Sequence, residues 1–130
     1  MESYNSDIDN EYPYFDLETA RELLPWLKNR LLELKRIKNE IEMLLVNGNK
    51  QALQLYASET KRIIDEIVSK GIILRDIDRG LVDFPAIING KPAFLCWKID
   101  DGDIYYWHYT NEGFIGRKRI SERDDILSLR

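Results

Sequence analysis

The chain has 130 residues, of which 44% are hydrophobic and 32% charged, as expected for one soluble globular domain with its own core. A net charge of −4 argues against binding to nucleic acid or anionic lipid through overall charge. A single cysteine excludes an internal disulfide, the acidic N-terminus is unlike a signal peptide, and no apolar run could span a bilayer. We therefore expect a cytoplasmic protein that makes no membrane contact.

Residues 1–11 are polar and aperiodic, which predicts a disordered acidic lead. The remaining residues, 12–130, are expected to form a single α+β domain. Within it we predict an antiparallel helical hairpin over 16–70 and a β-sheet over 72–120, followed by a short tail over 121–130 that we interpret as a short helix. The sheet is expected to be an antiparallel meander of three to four strands on which the hairpin packs.

The first helix is predicted to begin after Asp16, whose carboxylate can accept the free amides of the first turn. Pro25 lies inside the helical pattern, and its ring clashes with the carbonyl of Arg21, so we expect a kink or a break near it. Apolar residues then follow a heptad with two seam positions, occupied by Leu17, Leu24, Leu31 and Leu45 in one and by Ala20, Leu27, Leu34 and Ile41 in the other.

A turn over Val46 to Lys50 separates this helix from a second one, predicted from Gln51 to Lys70 and stopped by Gly71. Further apolar residues widen the stripe on the first helix beyond a two-position seam. Because this surface exceeds what a two-helix, one-sheet domain needs, we predict a homo-oligomer that associates through the helical hairpin.

After Gly71 the apolar pattern changes to that of strands. Asn89-Gly90 predicts a two-residue hairpin turn, because both positions accept positive φ, and this turn pairs Ile88 with Lys91. The resulting register predicts an apolar face that packs on the helices. The opposite face carries Asp83 across from Cys96, and we expect it to be mixed and less buried.

The next turn, at "DDGD", decides the position of His108. A two-residue turn would place His108 beside Leu95 on the core face. A three-residue turn with Gly102 in the left-handed conformation would place it opposite Phe94, on the face of Asp83. The sequence favours the three-residue form, because glycine suits its third position.

The candidate catalytic and ligand-binding residues lie on this second face. Asp83 beside His108 could orient the imidazole and raise its basicity, so these two are the candidate catalytic residues. The ordinary alternative is a partly buried polar histidine with no chemical role. Tyr106, Glu112 and Arg117 are candidate residues for binding a small anionic ligand.

Gly113 and Gly116 precede Arg117 and could present backbone amides to that anion; otherwise they form a simple turn in which glycine permits positive φ. Cys96 is interpreted as a small buried apolar residue rather than a nucleophile. With one histidine and one cysteine we expect no metal site and no cofactor from those residues. A hard cation held by Asp76, Asp78 and Asp83 fits less well than a turn made by two of these acids.

Single-stranded nucleic acid is a further possible partner. The aromatic run Tyr105, Tyr106, Trp107 and Tyr109 could stack bases, with Arg117 to Arg119 nearby. The segment "GFIG" resembles a nucleic-acid-clamping loop, but that loop lies between two helices and this one follows a strand. We therefore expect nucleic-acid binding to be the least favoured function, after self-association and small-ligand binding.

Three segments in this order resemble a known prokaryotic family, the domain of unknown function 2203. They are "YFDLETARELLPWL", "GLVDFPAIINGKPAFLCWKI" and "YYWHYTNEGFIGRKRI", and the resemblance covers the chain from Tyr14 to Ile120. It implies a small cytosolic protein whose helices lead into a sheet. It implies no established activity, so it assigns no catalytic residue.

Overall fold

The computed structural model describes residues 14–127, so the predicted lead at 1–11 lies outside the described residues. Two helices come first, α1 (Leu17–Asn47) and α2 (Lys50–Ser69). The strands are β1 (Ile73–Asp76), β2 (Leu81–Ile88), β3 (Lys91–Lys98), β4 (Tyr106–Tyr109), β5 (Lys118–Arg119) and β6 (Ile126–Leu127), with a 3₁₀ turn at Phe114–Gly116. The sheet is antiparallel in the order β1-β2-β3-β4-β5. The predicted α+β fold is confirmed, with a meander longer than the three to four strands expected.

α1 begins where the sequence predicts. The carboxylate of Asp16 accepts the amide of Thr19 at 2.8 Å, which satisfies one of the free donors of the first turn. The helix continues through Pro25 to Asn47, so the expected alternatives narrow to a kink, which stays a prediction, and a break is excluded. Proline removes only one helical hydrogen bond, and buried residues on both sides of it, Ala20 and Leu27, anchor the helix in the core.

The turn between the helices has two residues rather than the five predicted. Gly48 adopts the left-handed conformation, with φ 73°, and ends α1. Asn49 caps α2 by accepting the amide of Ala52 at 3.1 Å. At the other end Gly71, with φ 90°, ends α2 as predicted. A connection this short makes the two helices antiparallel neighbours.

The β2–β3 hairpin confirms the predicted register. Asn89 and Gly90 have φ values of 55° and 80°, as a type I′ turn requires, and Ile88 pairs with Lys91. The apolar face of this hairpin packs against both helices in one core. Its buried members include Val82, Phe84, Ala86, Ala93, Leu95 and Trp97 from the sheet and Leu27, Leu31, Leu34, Ile37, Ile63 and Ile67 from the helices.

Three segments share the outer edge of β2. β1 pairs with one end, β6 pairs with Ile87 and Ile88 at the other, and the amide of Phe15 donates to the carbonyl of Pro85 between them at 2.8 Å. The interpretation of the tail as a helix is therefore wrong over its described residues. Ser121 and Asp124 form a turn, and the Asn89 side chain accepts the amide of Asp125 at 2.9 Å, which guides the chain into β6.

Among residues 14–127, neither helix combines the length and the apolar character needed to cross a bilayer.

Candidate functional site

His108 lies on the face that the favoured register predicts. It pairs with Phe94, and the neighbouring pairs are Leu95 with Trp107 and Cys96 with Tyr106. The predicted left-handed Gly102 is wrong, because that residue does not have a positive φ. Two aspartate side chains close the turn instead. Asp101 accepts the amide of Lys98 at 3.1 Å and Asp103 accepts the amide of Ile104 at 2.6 Å.

This face of the sheet is more buried than predicted. Asp83 is 3% exposed, Cys96 1% and His108 3%, so the expectation of a less buried face is wrong at its polar centre. The segment after β4 lies over this part of the sheet, and two of its residues, Thr110 and Phe114, line the cavity that remains above the three side chains. A connection of this kind cannot be placed from strand alternation, because its path depends on contacts made outside the ladder.

Asp83 is the centre of the polar contacts. One carboxylate oxygen, Oδ1, lies 3.2 Å from Nε2 of His108, and the other, Oδ2, accepts Nε–H of Arg75 at 2.8 Å. Arg75 lies at an irregularity in β1, where the pairing shifts by one residue between Leu74 and Asp76. Such a bulge redirects a side chain, and here the extra residue supplies the cation that faces Asp83.

The surroundings of His108 constrain its protons. Nδ1 lies 2.9 Å from the carbonyl oxygen of Tyr109, which can only accept, so Nδ1 carries a proton. Nε2 faces the carboxylate of Asp83, which also accepts when ionised. Both ring nitrogens are therefore engaged inside the fold. Neither nitrogen is then free to exchange a proton directly with a bound molecule.

Cys96 lies beside this pair. Burial, followed by the negative charge of Asp83, raises the pKa of its thiol from 9.0 to about 11, although the guanidinium of Arg117 acts in the opposite direction. The thiol is therefore protonated at neutral pH, in agreement with the prediction of a buried residue that is no nucleophile. One ligand-type atom each from Asp83, Cys96 and His108 lies within 4.8 Å of the other two.

A cavity of about 380 Å³ opens above these residues, and its lining also includes Arg75, Leu81 and Glu112. The carboxylate of Glu112 accepts the amide of Tyr109 at 3.0 Å and Nζ–H of Lys118 at 2.8 Å. The hydrogen bond from Lys118, followed by the bond from that amide, lowers the pKa of Glu112. Glu112 is thus an ionised and already paired group on the cavity wall.

Tyr106 and Arg117 contact each other but are not among the residues that line this cavity. The Arg117 guanidinium lies 4.1 Å from the ring centres of both Tyr106 and Phe114, and Nη1 is 4.0 Å from Asp101. The amides of Gly116 and Arg117 are bonded to the carbonyls of Gly113 and Phe114 within the 3₁₀ turn. These two amides are therefore not free to bind an anion, and Gly113 and Gly116 do not have the positive φ that the alternative of a simple turn invoked.

Of the two other predicted clusters, the acidic one separates in the fold and the aromatic one is covered by its own basic residues. Asp76 accepts the amide of Arg79 in the β1–β2 turn and Asp78 pairs with Lys38, so neither faces Asp83. The aromatic residues of β4 are already covered by neighbouring cations. Arg119 lies over the rings of Tyr105 and Tyr106, and Lys118 lies over those of Trp107 and Tyr109.

The structure thus brings together Asp83, His108 and Glu112 from the predicted set, with Cys96 beside them. Sequence reasoning missed Arg75. Its signal is a single charged residue inside the apolar strand "IILR", directly before a turn that returns the chain to Asp83. It did place Asp83, Cys96 and His108 on one face, but it did not treat them as a set of metal ligands, because histidine and cysteine were counted without the carboxylate that faces them.

Comparison with known proteins gives one match. Residues 13–120 match the family described as "Uncharacterized conserved protein (DUF2203)", and the chain belongs to this family. No curated protein and no solved structure matches the sequence.

Proposed function

We propose that this member of the DUF2203 family binds a small anionic molecule in the cavity above Asp83 and His108. The observation that carries the proposal is the guanidinium of Arg75 at the cavity floor. One of its donors is used by the buried carboxylate of Asp83, which also faces the ring of His108. Glu112 adds a negative charge, but Lys118 pairs with it. The remaining donors of Arg75 therefore favour an anion.

Arg75 supplies the donors for such a molecule. Its Nε–H is used by Asp83, while no hydrogen bond from its two Nη groups is found among residues 14–127. The side chain is 44% exposed, so these donors can reach a ligand that enters from solvent. A guanidinium presents paired donors that match the oxygens of a carboxylate or phosphate. A volume of about 380 Å³ suits a small metabolite rather than a polymer.

The geometry supports binding more than catalysis. Both nitrogens of His108 are engaged, one by Asp83 and one by the carbonyl of Tyr109, so neither is free to act on a bound molecule. A general base needs a nitrogen within hydrogen-bond reach of the proton that it removes. The thiol of Cys96 is protonated at neutral pH, which argues against a nucleophile in the same cavity.

Calorimetric titration with inorganic phosphate and with malonate, at low ionic strength, tests this proposal. We expect binding to the full chain that weakens about tenfold or more in Arg75→Gln, since a hydrogen bond to a charged group contributes about 1.5–3 kcal/mol. Arg79→Gln is the matched control. Its side chain is 67% exposed, it does not line the cavity, and its removal should leave both affinities unchanged. Equal weakening in the two variants, or no binding of either anion, would refute the anion site.

Self-association is a second candidate, favoured by one observation on α1. Leu32, Met43 and Val46 are 50%, 64% and 86% exposed. Their spacings of eleven and three residues bring them to one side of the helix, away from the buried seam. The buried residues of α1 end at Ile37, so the rest of the hairpin extends past the core. We propose that a second copy of the chain covers this side of α1.

Light scattering coupled to size-exclusion chromatography tests the association directly. We expect a dimer that becomes a monomer in Val46→Glu, because a buried unpaired carboxylate in an apolar interface is costly. Ala57→Glu, at an exposed position of α2, is the control and should remain a dimer. A monomeric wild-type chain at high concentration would exclude this function.

A further inference from the structure

We propose that Asp83, Cys96 and His108 form a site for one divalent metal ion of the zinc class at the floor of the cavity. The site goes beyond the proposed function, because the ion would bind whether or not an anion follows it. Each residue offers one ligand atom, a carboxylate oxygen, a thiol sulfur and an imidazole nitrogen, and these atoms lie within 4.8 Å of one another. All three residues are at least 97% buried, so the ligands are held by the fold.

The distance between the first two ligands already suits a metal. Oδ1 of Asp83 lies 3.2 Å from Nε2 of His108. Two ligands at about 2.0 Å from a tetrahedral zinc ion lie about 3.3 Å apart. In the metal-free protein a proton bridges these two atoms, and a metal ion can take the place of that proton. Sγ of Cys96 lies within 4.8 Å of both atoms and needs to move closer to complete a bond of about 2.3 Å to the same ion.

Neighbouring groups orient two of the ligands as metal-binding residues require. Nδ1–H of His108 donates to the carbonyl of Tyr109, which fixes a proton there and leaves Nε2, on the side of Asp83, as the nitrogen that can bind the ion. Arg75 holds Oδ2 of Asp83 at 2.8 Å, which leaves Oδ1 for the ion. Partners of this kind raise metal affinity about 10–100-fold in known sites. A simple histidine–aspartate ion pair does not need a thiol as its third neighbour.

The ligand set selects the metal. Sulfur and imidazole nitrogen favour zinc and related ions over magnesium or calcium, which prefer oxygen. Three protein ligands leave a fourth position, and the cavity lies directly above them. Binding would release two protons, one from the Cys96 thiol and one from Nε2 of His108, so affinity should rise with pH. Arg117 beside Cys96 would then stabilise the thiolate.

Spectroscopic titration of the full chain with Co²⁺ tests the site, after chelation of any bound metal and with a phosphine reductant present. Co²⁺ is a visible probe for zinc sites. We expect one equivalent to bind, with a thiolate-to-cobalt charge-transfer band in the near ultraviolet, and Zn²⁺ to displace it.

Three variants distinguish the loss of a metal ligand from a change at a residue outside the cluster. Cys96→Ala should abolish the charge-transfer band, and His108→Gln should weaken Zn²⁺ binding at least about tenfold in calorimetry. Asp100→Asn is the control, since Asp100 is 73% exposed and lies outside the cluster, and it should bind as wild type does. Circular dichroism checks that each variant is folded. Absence of a thiolate band in folded wild-type protein, or an affinity for Zn²⁺ that survives both ligand substitutions, would overturn the proposal.

The metal site and the anion site can fail separately. Phosphate titration of the protein from which metal has been removed measures anion binding near Arg75 and His108 in the absence of metal. Anion binding there together with no cobalt band would remove the metal site and leave the proposed function intact. A cobalt band with no phosphate binding would support the metal site and refute the proposed anion site.

Discussion

The two faces of the central hairpin are built from neighbouring residues of the same strands, yet they differ in what they bury. Val82, Phe84 and Leu95 point to the helices and are fully buried in an apolar core. Asp83 and Cys96, one residue along, are also buried, but under a cavity with a polar floor. Burial of apolar area stabilises the first face, whereas each polar group on the second needs its own partner. The first face therefore contributes most to stability, whereas the second face carries the candidate functional site.

The largest expected effect tests the stabilising role of the helix-covered face. Phe84→Ala should lower the free energy of unfolding by about 3–5 kcal/mol, because it leaves a cavity in a core where Phe84 is fully buried and contacts Phe15 edge-on. Urea denaturation followed by circular dichroism measures the loss. Phe94→Ala, on the opposite and partly exposed face, is the matched comparison and should cost less than half as much. Similar losses in the two variants would contradict the contrast between the faces.

A smaller effect is expected at the polar centre of the other face. Asp83→Ala should destabilise the metal-free protein by about 1–3 kcal/mol, because it leaves Nε2 of His108 buried without a partner. Asp83→Asn should lie close to wild type. An amide oxygen can accept from Arg75, and its NH₂ can donate to Nε2 of a ring protonated only at Nδ1. Equal losses in the two variants would show that the hydrogen bonds of Asp83 do not determine its contribution.

The pH dependence of stability tests whether the thiol of Cys96 is buried on this face. Burial raises the pKa of its thiol from 9.0 to about 11, so the folded state binds more protons than the unfolded state between these values. The stability of the metal-free protein should therefore fall as pH rises through this window. Cys96→Ala should show a smaller fall, with tyrosine and lysine titration common to both proteins. Alkylation with iodoacetamide at neutral pH should be slow until urea unfolds the chain; rapid alkylation of the folded chain would place the thiol outside the core.

The smallest effect is expected at the rim of the cavity. The hydrogen bond from Lys118, and then the bond from the amide of Tyr109, lower the pKa of Glu112 below 4.5. Its contribution to stability is therefore present above pH 4.5 and is lost as pH falls through its lowered value. Thermal unfolding followed across this range should show a slightly steeper acid loss in wild type than in Glu112→Gln. Identical acid profiles would mean that this pair contributes nothing measurable, as is common for exposed ion pairs.

The helices and the strand pairing could be predicted because their signals are local. Asp16, Gly71 and Asn89-Gly90 each act within a few residues, through a cap or a positive φ. The pair Ile88–Lys91 then determines the register of the whole hairpin and separates Phe84 from Asp83. A break at Pro25, one of the two alternatives expected there, is excluded because packing on both sides outweighs one lost hydrogen bond.

Less of the candidate site could be predicted. Alternation along β4 placed His108 on the face of Asp83 once the length of its turn was right, although aspartate side chains close that turn in place of a left-handed Gly102. Arg117 belongs by sequence to the same face, but its stacking between Tyr106 and Phe114 holds it away from the cavity lining. Such contacts depend on the path of a connection that carries no periodic signal.

By itself the sequence determined the α+β order of elements, the hairpin register and the identity of the two faces, since these follow from periodicity, caps and turn conformations. Only the tertiary structure decided that the polar face is buried and that the bulge in β1 directs Arg75 at Asp83. Only the tertiary structure, likewise, brings one aspartate, one cysteine and one histidine together under a single cavity. These features join residues far apart in the chain, and their distances are set by packing, which no local pattern encodes.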